Sequence, residues 1–166
     1  MGRLLIFLFL FWSESLVSEL LDYIKSSTGE AMDRSRVRRM HPLVLAYIGD
    51  TVYDLFVRTH LILTNDIPVH QLHVRSISFV NAGSQSETLH DIEERLTEEE
   101  RYIVRRGRNA KPGSVPKNAD VAEYHWATGF ESLLGYLYLS GQEERLCEVL
   151  GFAMDARQGG NRPRKD

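Results

Sequence analysis

The sequence predicts an all-α protein. Three observations carry that prediction: apolar residues recur at helical spacing, strand-like alternation is scarce, and Pro, Gly and capping residues fall where helices would begin and end. Ser13 to Lys25 carries Leu16, Leu20, Tyr23 and Ile24 at that spacing. Pro42 suits a first helical turn, and the pattern then runs to about Leu63, with Leu45, Ile48, Val52, Leu55 and Phe56 expected on one buried face. Pro68 opens a second long helix, expected to continue towards Leu96 with Leu72, Ile77, Val80, Leu89 and Ile92 in the core. Thr97 and Glu100 form a capping-box pair that starts a helix ending near Gly107. Asn109 to Asn118 contains Pro112, Gly113 and Pro116 and is expected to be a loop. Asn118 or Asp120 caps the next helix, which ends at Gly141, and a last helix spans roughly Glu143 to Ala156.

The 166 residues suffice for one domain with a sizeable core. We divide the chain into an N-terminal extension with a helix (1–39), a compact domain (40–157) and a frayed tail (158–166). The extension ends in Arg34, Arg36, Arg38 and Arg39 and holds an unbroken apolar run, Leu4 to Trp12. That run is too short to span a bilayer. It has the length of a signal-peptide core, but a single Arg precedes it and no A-x-A site follows. A helical extension, or an upstream start codon not in use, is the better reading. The lone cysteine, Cys147, excludes an internal disulfide and a cysteine-rich zinc site, and it falls in the apolar pattern of Leu146, Val149 and Leu150 as a small core residue.

A net charge of −3 argues weakly against nucleic-acid binding, but the charge is uneven. Asp91, Glu93, Glu94, Glu98, Glu99 and Glu100 are followed by an acid-free stretch holding Arg101, Arg105, Arg106, Arg108, Lys111 and Lys117. Such a patch can bind phosphates on a slightly acidic protein, or it can be a solvated face laced with ion pairs.

Two helices each carry a carboxylate inside an apolar run: Asp50 in Leu45 to Tyr53, and Glu131 in Gly129 to Gly135. A buried, unpaired carboxylate costs several kcal/mol, so each needs a cation, a hydrogen-bond partner or water. Brought together by helix packing, the two make a hard oxygen site suited to Mg²⁺; apart, they are solvent-facing or paired with Arg or Lys. Asp54, one turn beyond Asp50, is best read as a partner for Arg58. His70 and His73 could share a metal but lack a third ligand nearby, and an exposed polar pair is the better reading.

Leu45-Ala46-Tyr47-Ile48-Gly49-Asp50-Thr51-Val52-Tyr53 resembles the signature helix of the ribonuclease III family, most closely its short bacterial form, Mini-ribonuclease III. Arg106 to Lys111 and Pro116 to Asp120 are similar to that subfamily's basic segment, and Phe130 to Leu139 matches the family's last signature helix. Three ordered motifs at compatible spacing are far more specific than one. The resemblance covers roughly residues 42–156 and implies an all-helical, dimeric, cytoplasmic endonuclease that cuts double-stranded RNA with Mg²⁺ and trims large-subunit (23S) ribosomal RNA precursors. It carries over Asp50 as the catalytic aspartate and Glu131 as the metal-ligand glutamate, and no membrane partner is expected. Arg105, Arg106, Arg108, Lys111 and Lys117 are the candidates for RNA phosphate contacts.

Two departures stand out. Larger members carry a glutamate where this chain has Ala46 and an aspartate where it has Thr128. The thinner pattern is that of the short subfamily, and the Thr128 hydroxyl is a candidate to help directly or through a water. The alternative it motivates is a non-catalytic RNA-binding or ribosome-assembly protein on the same fold. A helical protein-interaction module is the third reading.

Overall fold

The computed structural model describes residues 21–24, 26–27, 33–111 and 120–159. All regular structure among them is helical: α1 (Arg34–Arg39), α2 (Pro42–Thr64), α3 (Val69–Val80), α4 (Ala82–Ile92), a 3₁₀ turn (Glu93–Arg95), α5 (Glu98–Arg108), α6 (Val121–Leu139) and α7 (Glu143–Gly159). The expected apolar run 4–12, and residues 112–118 of the expected loop with Lys117 among them, lie outside the described residues.

Local chemistry sets the ends. His41 caps α2 through Nδ1, which accepts from the Leu43 N–H at 3.3 Å, with Pro42 in the first turn. The Thr97–Glu100 capping box starts α5 with both of its reciprocal bonds present. Asp120, rather than Asn118, caps α6, accepting from Ala122 and Glu123 at 2.8 and 3.1 Å. Gly141 at φ 70° follows α6, in the left-handed region that glycine enters without a Cβ clash.

α6 is the axle of the fold. It is buried from Ala127 to Tyr138, apart from Glu131, and packs against α2, α5, α4 and α7. From α2 the buried line is Leu45, Gly49, Tyr53, Val57 and Leu61, so Leu55 of the expected face instead lies exposed, while Ile48, Val52 and Phe56 are partly buried. The α2 line advances by four residues at each step, which keeps it on one side of the helix. Leu21 and Val37 also join the core, bringing the short α1 against the rest.

The long helix expected from Pro68 to Leu96 is broken. Asn81 ends α3, its N–H bonding back to the Ile77 carbonyl, and its side chain caps α4 by accepting from Ser84 N–H at 2.9 Å. Two helices thus meet at one residue, and Ile77, expected in the core, is exposed while Leu89 and Ile92 are fully buried. Arg157 of α7 fixes this corner from outside, donating to the Ser78 carbonyl at 2.7 Å and to Ser84 Oγ at 3.0 Å and pairing with Glu87 at 2.9 Å. α7 itself runs three residues past the expected Ala156, and Cys147 is only partly buried on it.

Glu100 is the one acid of the 91–100 cluster that is fully buried. Arg145 grips it with Nε and a terminal nitrogen at 2.8 and 2.9 Å. Burial works against the Glu100 charge, but the Arg145 and Thr97 hydrogen bonds outweigh it and hold the pKa below the usual glutamate value. The pair's contribution is therefore present above the unfolded-state pKa and lost as pH falls through the lower folded one. Arg145→Met should cost about 3 kcal/mol at neutral pH by stranding a buried carboxylate. Urea denaturation at pH 7 and at pH 3 checks this: the loss should be large at the first and small at the second.

Candidate active site

α2 and α6 cross backbone to backbone. A Cβ built on Gly49 would lie 1.8 Å from the Glu131 carbonyl oxygen, and one on Gly135 would lie 2.0 Å from that of Leu45. Only hydrogens at both positions allow this approach. The Ser132 hydroxyl adds a tie across the same interface, donating to the Pro42 carbonyl at 3.0 Å. The crossing places Asp50, next to Gly49, beside Glu131, whose own carbonyl is the contact point.

The charge of Asp50 reaches Glu131. Asp50 keeps contact with solvent, yet burial of its carboxyl raises its pKa, and the charge of Asp54 raises it further. Glu131 is set deeper: burial, and then the charge of Asp50, push it up to about 8. Neither acid has an ion-pair partner among the described residues. Asp54 is held by Arg58 at 2.6 Å, as expected, and bears on Asp50 only through its charge.

A third polar group lies against both acids. The Gln85 amide on α4 interacts with Asp50 and with Glu131, in each case favouring the ionised form. Gln85 is 1% exposed, its Nε2 donates to the Val80 carbonyl at 2.9 Å, and its Oε1 has no hydrogen-bond partner. One turn further along each helix, Tyr53 Oη on α2 and Thr88 Oγ1 on α4 are likewise buried without a bonded partner. Asp50 and Glu131 thus offer oxygen ligands only. That set fits a hard divalent cation such as Mg²⁺, which takes one or two carboxylates and keeps several waters. Among the described residues no three His, Cys, Asp or Glu side chains gather to hold a metal. His70 and His73 are exposed side chains on α3.

The positions where larger relatives carry further acids are neutral and occupied. Ala46 is buried on α2, next to Leu45. Thr128 is also buried, and its hydroxyl donates to the Tyr124 carbonyl at 2.9 Å, so it is spent within α6 rather than free to assist the acids.

The basic candidates divide. Arg105 and Lys111 are exposed at and beyond the end of α5. Arg108 lies 4.7 Å over the Trp126 ring, which fixes its guanidinium plane. Arg106 has a structural role that the sequence concealed: it donates to the Met40 carbonyl at 2.8 Å and to that of Arg38, tying α5 to the α1–α2 junction. A hollow of about 520 Å³ lined by Ser35, Arg38, Arg39, Tyr102 and Arg106 opens beside it.

Sequence reasoning missed Gln85. A signal was present: Gln85, Leu89 and Ile92 share one helical face, so a polar residue stands in core register. The continuous helix expected through Asn81 hid that register.

A ribonuclease III domain model matches residues 43–142. The chain is 46% identical to a Mini-ribonuclease 3 of Clostridium tetani over 74% of its own length and 82% of the relative's. It is 52% identical to a Mini-ribonuclease 3 of Symbiobacterium thermophilum, over 69% and 88% respectively. Its fold is similar to a crystal structure of a Fusobacterium nucleatum protein, with TM-score 0.65 and 29% identity over 73% of this chain and 97% of that one.

Proposed function

Because the chain belongs to the ribonuclease III family and is an endoribonuclease of that type, we propose that it cuts double-stranded RNA with Mg²⁺ held by Asp50 and Glu131. The observation that carries this reading is the acid pair itself. Two carboxyls, one raised by the charge of the other, stand at a backbone-to-backbone helix crossing, and no cationic side chain among the described residues pairs with either. Such an arrangement is costly to stability and is characteristic of functional sites.

The bound cation supplies charge stabilisation on the phosphodiester and activation of water. The chain's own residues do the rest. Asp50, nearer solvent, faces the RNA backbone, while Glu131 stands behind it. Arg105, Arg108, Lys111 and Lys117 supply phosphate contacts, with Arg106 at the edge of the arginine-lined hollow. A-form RNA is recognised by shape and phosphate, which needs no base-reading strand. The working unit is residues 40–157, with the preceding basic stretch packed on it.

A second copy of the chain completes the assembly. Val44, Tyr47, Leu55 and Ile62 expose large apolar side chains on the face of α2 opposite its core line, and Val69, Val74 and Ile77 do so on α3. A patch of this kind rarely faces water in a monomer, and a homodimer would cover it. We place the protein in the cytoplasm, acting on the paired ends of large-subunit (23S) ribosomal RNA precursors. No helix of the described residues is long and apolar enough to cross a membrane.

The test is incubation of the protein with long duplex RNA and Mg²⁺. The wild type should cleave. Asp50→Asn should lower the rate at least about a thousandfold, several kcal/mol of lost charge stabilisation, and still retain the duplex in a gel-shift assay. Binding without cleavage by the wild type would instead establish the non-catalytic alternative.

A further inference from the structure

The hollow beside Arg106 has a chemistry of its own. α1 supplies Ser35, Arg38 and Arg39 to it, and α5 supplies Tyr102 and Arg106. Three guanidiniums thus line one cavity of about 520 Å³, with no carboxylate in its lining, on a chain whose net charge is −3. The nearby acids are engaged elsewhere. Asp33 caps α1 on the Arg36 N–H at 2.7 Å, Glu98 pairs with Arg101, and Glu100 is held by Arg145. Glu99 pairs with Arg34 and reaches Arg38 only at 3.7 Å. Among the described residues Arg39 and Arg106 form no ion pair. Like charges crowded without a counter-charge repel one another, and an anion relieves them. The guanidiniums are also held in place. Arg106 directs both terminal nitrogens at the carbonyls of Arg38 and Met40, so it is fixed without being neutralised. Arg38 lies 4.9 Å from the centre of the Tyr102 ring, which Arg106 approaches at 5.8 Å, and Arg39 donates to Ser35 Oγ at 3.1 Å. Groups ordered beforehand lose less freedom when a ligand arrives.

We propose that this hollow is a second anion site, which takes a terminal phosphate: the phosphomonoester at the 5′ end of an RNA strand or on a free nucleotide. A phosphomonoester carries about −1.5 to −2 charge at neutral pH, with three strong acceptor oxygens. That matches clustered arginine forks better than the single charge of an internal phosphodiester. The volume falls in the range of small-ligand sites, roughly 300–1,000 Å³. The Tyr102 ring, 38% exposed, offers an apolar wall to the sugar or base behind the phosphate. Ser35, Arg38 and Arg39 precede residues 43–142, which match the ribonuclease III domain, so half of the hollow lies ahead of that domain. The acid pair stands elsewhere: Asp50 is about 12 Å along the axis of α2 from Pro42, at roughly 1.5 Å per residue.

Two short single-stranded oligoribonucleotides of one sequence, one ending in a 5′-phosphate and the other in a 5′-hydroxyl, test this. Fluorescence anisotropy of a 3′ label, with the full chain at low salt and without divalent metal, reads both affinities. The 5′-phosphate form should bind at least about tenfold tighter, the scale of one charge-assisted contact set. Arg38→Gln combined with Arg39→Gln should erase that difference. Thermal melts show whether the double variant folds. Arg39→Gln alone replaces it if it does not, and should lower the ratio at least about threefold. Asp50→Asn should keep the full ratio. Adenosine 5′-monophosphate as competitor separates the two sources. Displacement by it, with adenosine inert, supports a site that accepts free nucleotides, and failure to displace supports one confined to RNA ends. Equal affinity of the wild type for the two ends, or a ratio that survives in the folded double variant, overturns the proposal. Loss of the ratio in Asp50→Asn places the phosphate at the acid pair and overturns it too.

Discussion

Gly49→Ala should leave a protein with no nuclease activity and little stable fold. The added methyl would sit 1.8 Å from a backbone oxygen of Glu131, and backbone cannot swing aside as a long side chain can. The two helices would have to separate by more than an ångström along the interface that buries Leu45, Tyr53, Phe130 and Leu134. Overpacking on this scale costs about 3 kcal/mol or more, a large fraction of a small domain's stability. Any molecules that remain folded would hold Asp50 and Glu131 further apart, with the loss of catalysis that small misplacements bring. Circular dichroism melts and the duplex-cleavage assay read the two effects separately. Gly151→Ala is the control, since a Cβ there meets nothing within 4 Å and should only favour α7.

Glu131→Gln should move activity and stability in opposite directions. Cleavage should fall about a thousandfold, since a ligand carboxylate is replaced by an amide. Metal-free stability should rise above that of the wild type, and the gain should depend on pH. The folded protein holds the Glu131 proton up to about pH 8 while the unfolded chain releases it near 4.5. Wild-type stability therefore falls as pH rises through that window, and the glutamine variant has no such loss. The difference should be absent at pH 4, grow through pH 6, and level off above pH 8 on the order of a few kcal/mol. Divalent cation reverses the sign, because the ion binds the ionised form and displaces the proton. Apparent metal affinity should climb by about tenfold per pH unit until Glu131 is fully ionised. Thermal melts from pH 4 to 9, with and without Mg²⁺, check both halves.

The fold class, the capping box at Thr97 and the acid-bearing runs of α2 and α6 are legible in the residues because each is a local pattern. Spacing, caps and apolar content act within a few turns of chain. The break at Asn81 is local too, but it was masked: an Asn capping one helix while ending another leaves no Pro or large gap to mark it. What the sequence could not supply is tertiary. The pairing of Asp50 with Glu131 depends on Gly49 and Gly135 meeting across two helices far apart in the chain. The burial of Gln85 depends on α4 packing against α6. The use of Arg106 as a clamp depends on carbonyls nearly seventy positions earlier in the chain. Residue type suggested phosphate binding for that arginine, and only packing shows how much of its hydrogen-bonding capacity is already engaged.

The Arg157 corner has a consequence in time. The residues it joins are 73 and 79 positions apart. A long loop costs only slightly more to close than a short one, but it cannot close before its far end exists. On a ribosome, α2, α4 and α6 all emerge before α7, and until α7 docks the start of α4 lacks its outer brace. The acid pair and Gln85 should therefore reach their final geometry late in synthesis. A nascent chain that has made every residue of the site but not yet docked its last helix should be a poor cutter of the duplexes around it.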